Sequence, residues 1–282
     1  MLSRQPSLFV ILGVLLGLCS ACKEESVVVN VGAPEGELRV SEAALEQFIF
    51  RSYVDLIGTA PSQQDLASWS SRLRENELSV ESRQELFETL QQSAEWREAY
   101  ALNLYQSAKV RFLENFPDAE IQRRFIGQGD ADDDARLQAL LDWQANYLSG
   151  TATYRDLERS CIYNLVYDQI NMGSFNFVRA SFDNLLWRYP TDAEYDAGFA
   201  MVERSQQATL FGMSASDKAG YVDLLTDSEE ALQGIVIWQF DQLLARRPSA
   251  AETVEFASSI AATGNLLELQ QLIMQTNEYA GF

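Results

Sequence analysis

The chain has 282 residues, 47% hydrophobic and 11% aromatic, with 41 acidic against 21 basic side chains, no histidine, and a formal charge of −20. Such a surface repels phosphate backbones and anionic membrane faces, which argues against nucleic acid as a partner. The missing imidazole removes Ser-His-Asp and Cys-His catalysis, imidazole zinc sites and histidine-ligated haem; with no CxxCH, GxGxxG or P-loop motif either, no cofactor is expected.

Residues 1–21 read as a targeting leader. Arg4 precedes an eleven-residue apolar run at 8–18, short of the roughly 20 residues that span a bilayer. The run ends in Cys19-Ser20-Ala21-Cys22, and small residues before a cysteine resemble a bacterial lipobox, with Cys19 standing where leucine is usual. The resemblance implies cleavage before Cys22, lipidation of that cysteine and anchoring to a membrane. Lys23 after it resembles the sorting pattern for the outer membrane. Plain secretion and an uncleaved anchor are the alternatives. Residues 22–40, with Gly32, Pro34 and Gly36 as breakers, read as a flexible tether.

Ser41 can cap a first helix, which runs into a thirteen-residue block that occurs three times: 53–65 (YVDLIGTAPSQQD), 182–194 (FDNLLWRYPTDAE) and 240–252 (FDQLLARRPSAAE). The first half supplies a buried aromatic and leucine, and Pro61, Pro190 or Pro248 then forbids continuation. In the second half Ser62, Thr191 and Ser249 each precede Asp65, Glu194 or Glu252 by three positions, the capping-box spacing. A shorter signal follows each block, in which Ser93, Ser228 or Thr276 caps a helix with Glu95, Glu230 or Glu278 in its first turn. Self-similarity of this kind is the signature of helical repeats.

Between the copies, helices are expected around 65–73, 82–92 and from Ser93 onward, where Trp96, Tyr100, Leu104 and Ala108 form a stripe. Asp130, Asp132 and Asp134 alternate like the start of a calcium loop. Ala135 and Leu141 then occupy the places of the required glycine and glutamate, so a solvated helix start is the better reading. Helices are expected from Ala135 to Gly150 and over 153–170, then an aromatic loop at 172–177. The fold class is all-α, with degenerate helix–proline–capping-box–helix repeats in one large or two closely packed units, 41–175 and the tandem copies in 176–282. Cys161 reads as a buried thiol, not a nucleophile.

The motif Arg51, Tyr53, Asp55, Leu56, Gly58, Pro61, Ser62, Asp65, followed by LQQSAEWREAYALNLYQ, is similar to uncharacterised helical domains of planctomycete surface proteins found beside cytochrome-c domains. The tandem copies resemble the LLxRxP(S)…E and LxxSxE units of secreted helical repeat domains of unknown function. Neither resemblance implies catalytic or redox residues. Two functions are open. One is a lipid-anchored interaction or scaffold module, a subunit of an envelope or surface complex, with Trp69, Trp187 and Trp238 as candidate anchors or core residues. The other is a carboxylate-based glycan hydrolase or glycan binder, for which Glu95, Glu98, Glu229 and Glu230 are the available acids, each equally readable as a helix-turn acid.

Overall fold

A computed structural model describes residues 40–281; the leader, Cys22 and the tether up to residue 39 lie outside the described residues. Among the described residues sixteen helices and one hairpin follow one another, an all-α architecture. α1 (Glu42–Ile57) starts where Ser41 Oγ accepts the Ala44 N–H and stops at Gly58, whose φ of 70° suits a residue without Cβ. α2 (Gln63–Glu75), α3 (Val80–Gln91) and the long α4 (Ala94–Leu113) follow, each opened by a serine cap. α4 buries Trp96, Tyr100, Leu104 and Ala108 along one stripe and packs on α1.

Three expectations need correction. After α5 (Asp118–Arg124), the helix expected from Ala135 begins four residues earlier as α6 (Ala131–Leu141) and continues, past a one-residue break at Asp142, as α7 (Trp143–Leu148). Asp130 caps α6 and Asp133 closes a full capping box, while Asp134 accepts the Gly127 N–H at 2.7 Å. These aspartates satisfy backbone donors at the start of a helix. The single helix expected over 153–170 is two, α8 (Tyr154–Ile162) and α9 (Leu165–Ile170). Buried Asn164 makes the break: its amide donates to the Ser160 and Cys161 carbonyls, and its Oδ1 accepts from the Val166 and Tyr167 N–H groups. One side chain thus replaces part of the helical ladder. The loop expected at 172–177 is already helical from Ser174, where α10 (Ser174–Leu186) opens behind Gly173 at φ 83°.

α11 (Asp192–Arg204) leads to the hairpin, β1 (Ala208–Leu210) antiparallel to β2 (Met213–Ala215) with Ala208 opposite Ala215. Phe211 and Gly212 both take positive φ, the geometry of a two-residue hairpin turn. α12 (Lys218–Thr226), α13 (Glu229–Leu244), α14 (Ala250–Ile260), α15 (Leu266–Met274) and α16 (Asn277–Ala280) complete the described chain.

One buried apolar cluster runs from Leu45 in α1 to Ala280 in α16. α1 packs on α16, α4 on α8, and α10 on α13. Residue 175 lies in the first turn of α10. α10 and α13 meet backbone to backbone at Gly234, where a Cβ would lie 1.9 Å from the Leu185 carbonyl oxygen. Among the described residues, no helix is long and apolar enough to cross a membrane.

Candidate functional site

The repeated block folds into the same device twice. Thr191 caps α11 and Ser249 caps α14, each with its acid three residues on closing a full capping box. Upstream, the helix ends in a left-handed residue, Trp187 in one copy and Ala245 in the other. The next residue is an arginine that joins the two sequence signals. Arg188 grips Glu194 with both Nη atoms (2.6 and 2.8 Å) and reaches Glu230, the acid of the shorter signal, through Nε and through Nη2 (2.8 Å). Arg246 repeats the wiring with Glu252 (2.7 and 3.1 Å) and Glu278 (2.6 and 2.7 Å). Each guanidinium also lies over the aromatic residue that begins its block, Phe182 at 5.2 Å and Phe240 at 5.0 Å. Hydrogen bonds from the arginines hold Glu194 and Glu252 down at about 2, helped by the capping backbone. Two-sided, charge-assisted forks fix geometry as well as contributing energy. Ser228 and Thr276 cap α13 and α16, which places Glu230 and Glu278 within reach. Pro190 and Pro248 stand between each arginine and its cap.

The first copy departs from this. Thr59 occupies the arginine's place. After Pro61, Ser62 caps α2, but Asp65 accepts from the Ser62 hydroxyl (2.7 Å), so the expected return bond to the cap's N–H is replaced by a side-chain one. Ser93 caps α4, and its hydroxyl donates to Glu95 at 2.7 Å. The cation here is Arg51, one turn before the block's Asp55. It donates to the Tyr279 carbonyl (3.0 Å) and the Leu243 carbonyl (2.7 Å), stacking 4.3 Å above the Tyr279 ring. Those carbonyls lie in the last turns of α16 and α13, where the helix dipole favours a positive charge. The Tyr279 hydroxyl donates to Asp55 Oδ2 at 2.7 Å, and Asn103 donates to the Asp55 and Leu56 carbonyls. Burial pushes the Asp55 carboxyl up, against the opposing pull of that hydroxyl and of Arg51.

A buried charge pair lies deeper. Arg111 Nη1 meets Glu158 at 2.8 Å, with the Glu158 side chain 1% exposed. Arg111 also donates to the Asn184 carbonyl and lies 5.0 Å over the Trp238 ring. Burial raises the Glu158 carboxyl and Arg111 draws it back. Cys161 is buried beside them, its thiol pushed up by desolvation, the environment of a packing residue.

The surface holds a group that sequence inspection passed over. Of the tryptophans suggested as anchors, Trp69 and Trp238 are in the core and Trp187 is half-buried at its helix end. The exposed aromatics are instead Tyr189 (60% exposed), Phe175 (50%) and, on α1, Phe50 (48%), with exposed Met172 three residues before Phe175 in the chain. Arg179 lies between the first two, 4.9 Å over Tyr189 and 5.3 Å over Phe175. Phe175 packs edge-on to Tyr195 at 5.3 Å, and Tyr195 stacks on Phe199 at 5.8 Å, which Arg204 covers. Among the described residues no carboxylate pairs with Arg179. The only signal in the sequence is Phe175 and Arg179 four apart on α10, of which Phe175 falls inside the stretch 172–177 read as a loop.

Of the candidate acids, Glu95, Glu229 and Glu230 are first-turn residues of α4 and α13, and Glu230 is held by Arg188. Glu98 lies within α4. Compared with protein families, with curated proteins and with solved structures, the chain finds no match.

Proposed function

We propose that this protein is a lipid-anchored, extracytoplasmic interaction module that holds a protein partner on the exposed face of α10 and α11, as a subunit or scaffold of an envelope complex. The observation that carries the reading is the contiguous group Phe175, Arg179 and Tyr189, with Met172 exposed nearby in the chain. Exposed tyrosine, phenylalanine, methionine and arginine are the side chains that dominate protein interfaces, and contiguous apolar exposure on a solvated surface marks such sites. On a chain of charge −20, an arginine that pairs with no carboxylate among the described residues is a focused attraction for a partner's acid. The lipobox-like Cys22 supplies the anchor and residues 23–40 the reach.

The test carries a photo-crosslinking side chain at position 189 in the native full chain, with mass spectrometry of the captured protein and of the N-terminal peptide. The expected result is an acylated Cys22 and one partner in equimolar amount. Purified, that partner should bind the Phe175→Ala/Tyr189→Ala double variant ~30-fold more weakly, the equivalent of about 2 kcal/mol. The variant's melting temperature should stay unchanged, as surface substitutions cost within about 0.5 kcal/mol. Equal binding by the variant, or an acylated protein with no crosslinked partner, would overturn the reading.

A further inference from the structure

Residues of α1, α4, α13 and α15 line an open-sided cavity of about 180 Å³, among them Asp55, Asn103, Ser107, Gln239, Gln242 and Gln270, none of which belongs to the α10–α11 face. Gln239 is 2% exposed and its Oε1 has no hydrogen-bond partner, but that oxygen is closed off from a water-sized group and does not face the cavity. The polar atoms that can serve a ligand belong to the less enclosed lining residues, and each is committed on one side only. Tyr279 takes Asp55 Oδ2 and leaves Oδ1. Both Asn103 bonds come from its NH₂, which leaves its Oδ1 as an acceptor. The Tyr100 hydroxyl occupies Gln270 Oε1 at 2.7 Å, which leaves that amide's N–H groups as donors.

We infer that this cavity binds a small neutral polyhydroxylated molecule, one sugar ring or smaller. Three observations set the chemistry. The free atoms are a mixture, acceptors on Asp55 and Asn103 and donors on Gln270 and Ser107; hydroxyl groups match both because each gives and accepts. No lysine or arginine lines the cavity and one carboxylate does, which disfavours an anion. The volume falls below the roughly 300–1,000 Å³ of drug-sized sites and equals about six waters at about 30 Å³ each. Trp238 also lines the wall, but Tyr154 stacks on its ring at 5.5 Å and Arg111 covers it, so an extended glycan has no open aromatic platform to lie on. Glycoside hydrolysis takes two carboxylates; the lining supplies Asp55 alone, and the activity is binding.

Saturation-transfer NMR and calorimetry on the full chain, in a sugar-free detergent, test this. The neutral probes are glycerol, glucose and N-acetylglucosamine, and the charged controls are choline and inorganic sulfate. At least one neutral probe should bind at one site with a Kd below about 10 mM. Ser107→Leu, which fills the cavity from the half-exposed side of α4, should weaken it at least tenfold with an unchanged melting curve. No binding by any neutral probe, binding by the charged controls alone, or equal affinity in Ser107→Leu would overturn the assignment. The crosslinked partner at Tyr189 is unaffected by any of these outcomes, so the two readings stand or fall separately.

Discussion

Replacing Gly234 by alanine sets two effects of opposite sign against each other. In an isolated helix the change stabilises by about 1 kcal/mol, because glycine loses the most backbone freedom on folding. In this fold the new Cβ would sit 1.9 Å from the Leu185 carbonyl oxygen and 3.0 Å from its carbon. Ordinary contact begins at 3.4 Å, so α10 and α13 must part by about 1.5 Å (3.4 − 1.9). Both obstructing atoms are main chain and cannot rotate aside. Overpacking of this kind costs about 1–3 kcal/mol, and a shift of whole helices belongs at the upper end. After the gain in propensity, the net loss is about 1–2 kcal/mol. For a fold of this size each kcal/mol moves Tm by about 2–4 °C, so Tm should fall by roughly 2–8 °C. Circular-dichroism melts of the full chain and its Gly234→Ala variant measure it. A variant as stable as the parent, or more so, would show that helix propensity governs and that the two backbones do not touch.

Three further outcomes follow from the charged groups. Arg111→Met should destabilise by about 3–5 kcal/mol by leaving Glu158 buried and unpaired, while Arg111→Met/Glu158→Leu recovers most of the loss; urea unfolding of the four proteins of that cycle reads the difference. Glu194 and Glu252 titrate at about 2 in the fold against an ordinary 4.5, so their contribution is complete above pH 4.5 and lost as pH falls toward 2. Both are partly exposed, which keeps each to about 1 kcal/mol. Melts across that window should drop more steeply for the parent than for Arg188→Met/Arg246→Met, and parallel curves would count against the clamps. Arg51→Gln should cost about 1.5–3 kcal/mol through two lost charge-assisted bonds, with faster amide exchange in α16 as the specific sign.

Much of the architecture was legible because helix starts are local. Ser62, Ser93, Thr191, Ser228, Ser249 and Thr276 sit one position before helices in the structure; each has an acid within three residues, and Ser62, Thr191 and Ser249 also follow a proline. What escaped was longer in range or not periodic. Asn164 divides α8 from α9 through side-chain bonds that a hydropathy pattern does not carry. The hairpin has three residues per strand, too few to show alternation. The clamp arginines were in plain view at 188 and 246, yet Thr59 in the first copy removes them from a three-way consensus, and their second partners lie 42 and 32 residues away. The cavity was illegible for the same reason: its walls come from four helices.

The bonds from Arg51 to Leu243 and Tyr279 span 192 and 228 residues. They give the fold a late closing step. α1 is synthesised before its partners in α13 and α16, so its carboxyl-terminal face, with Asp55 and part of the cavity wall, stays open until those helices arrive. Contacts of such long sequence separation slow folding because the loop must close before they can form. During synthesis this leaves an early helix exposed to other hydrophobic chains, and the order of emergence, more than any single contact, sets when the molecule becomes safe from them.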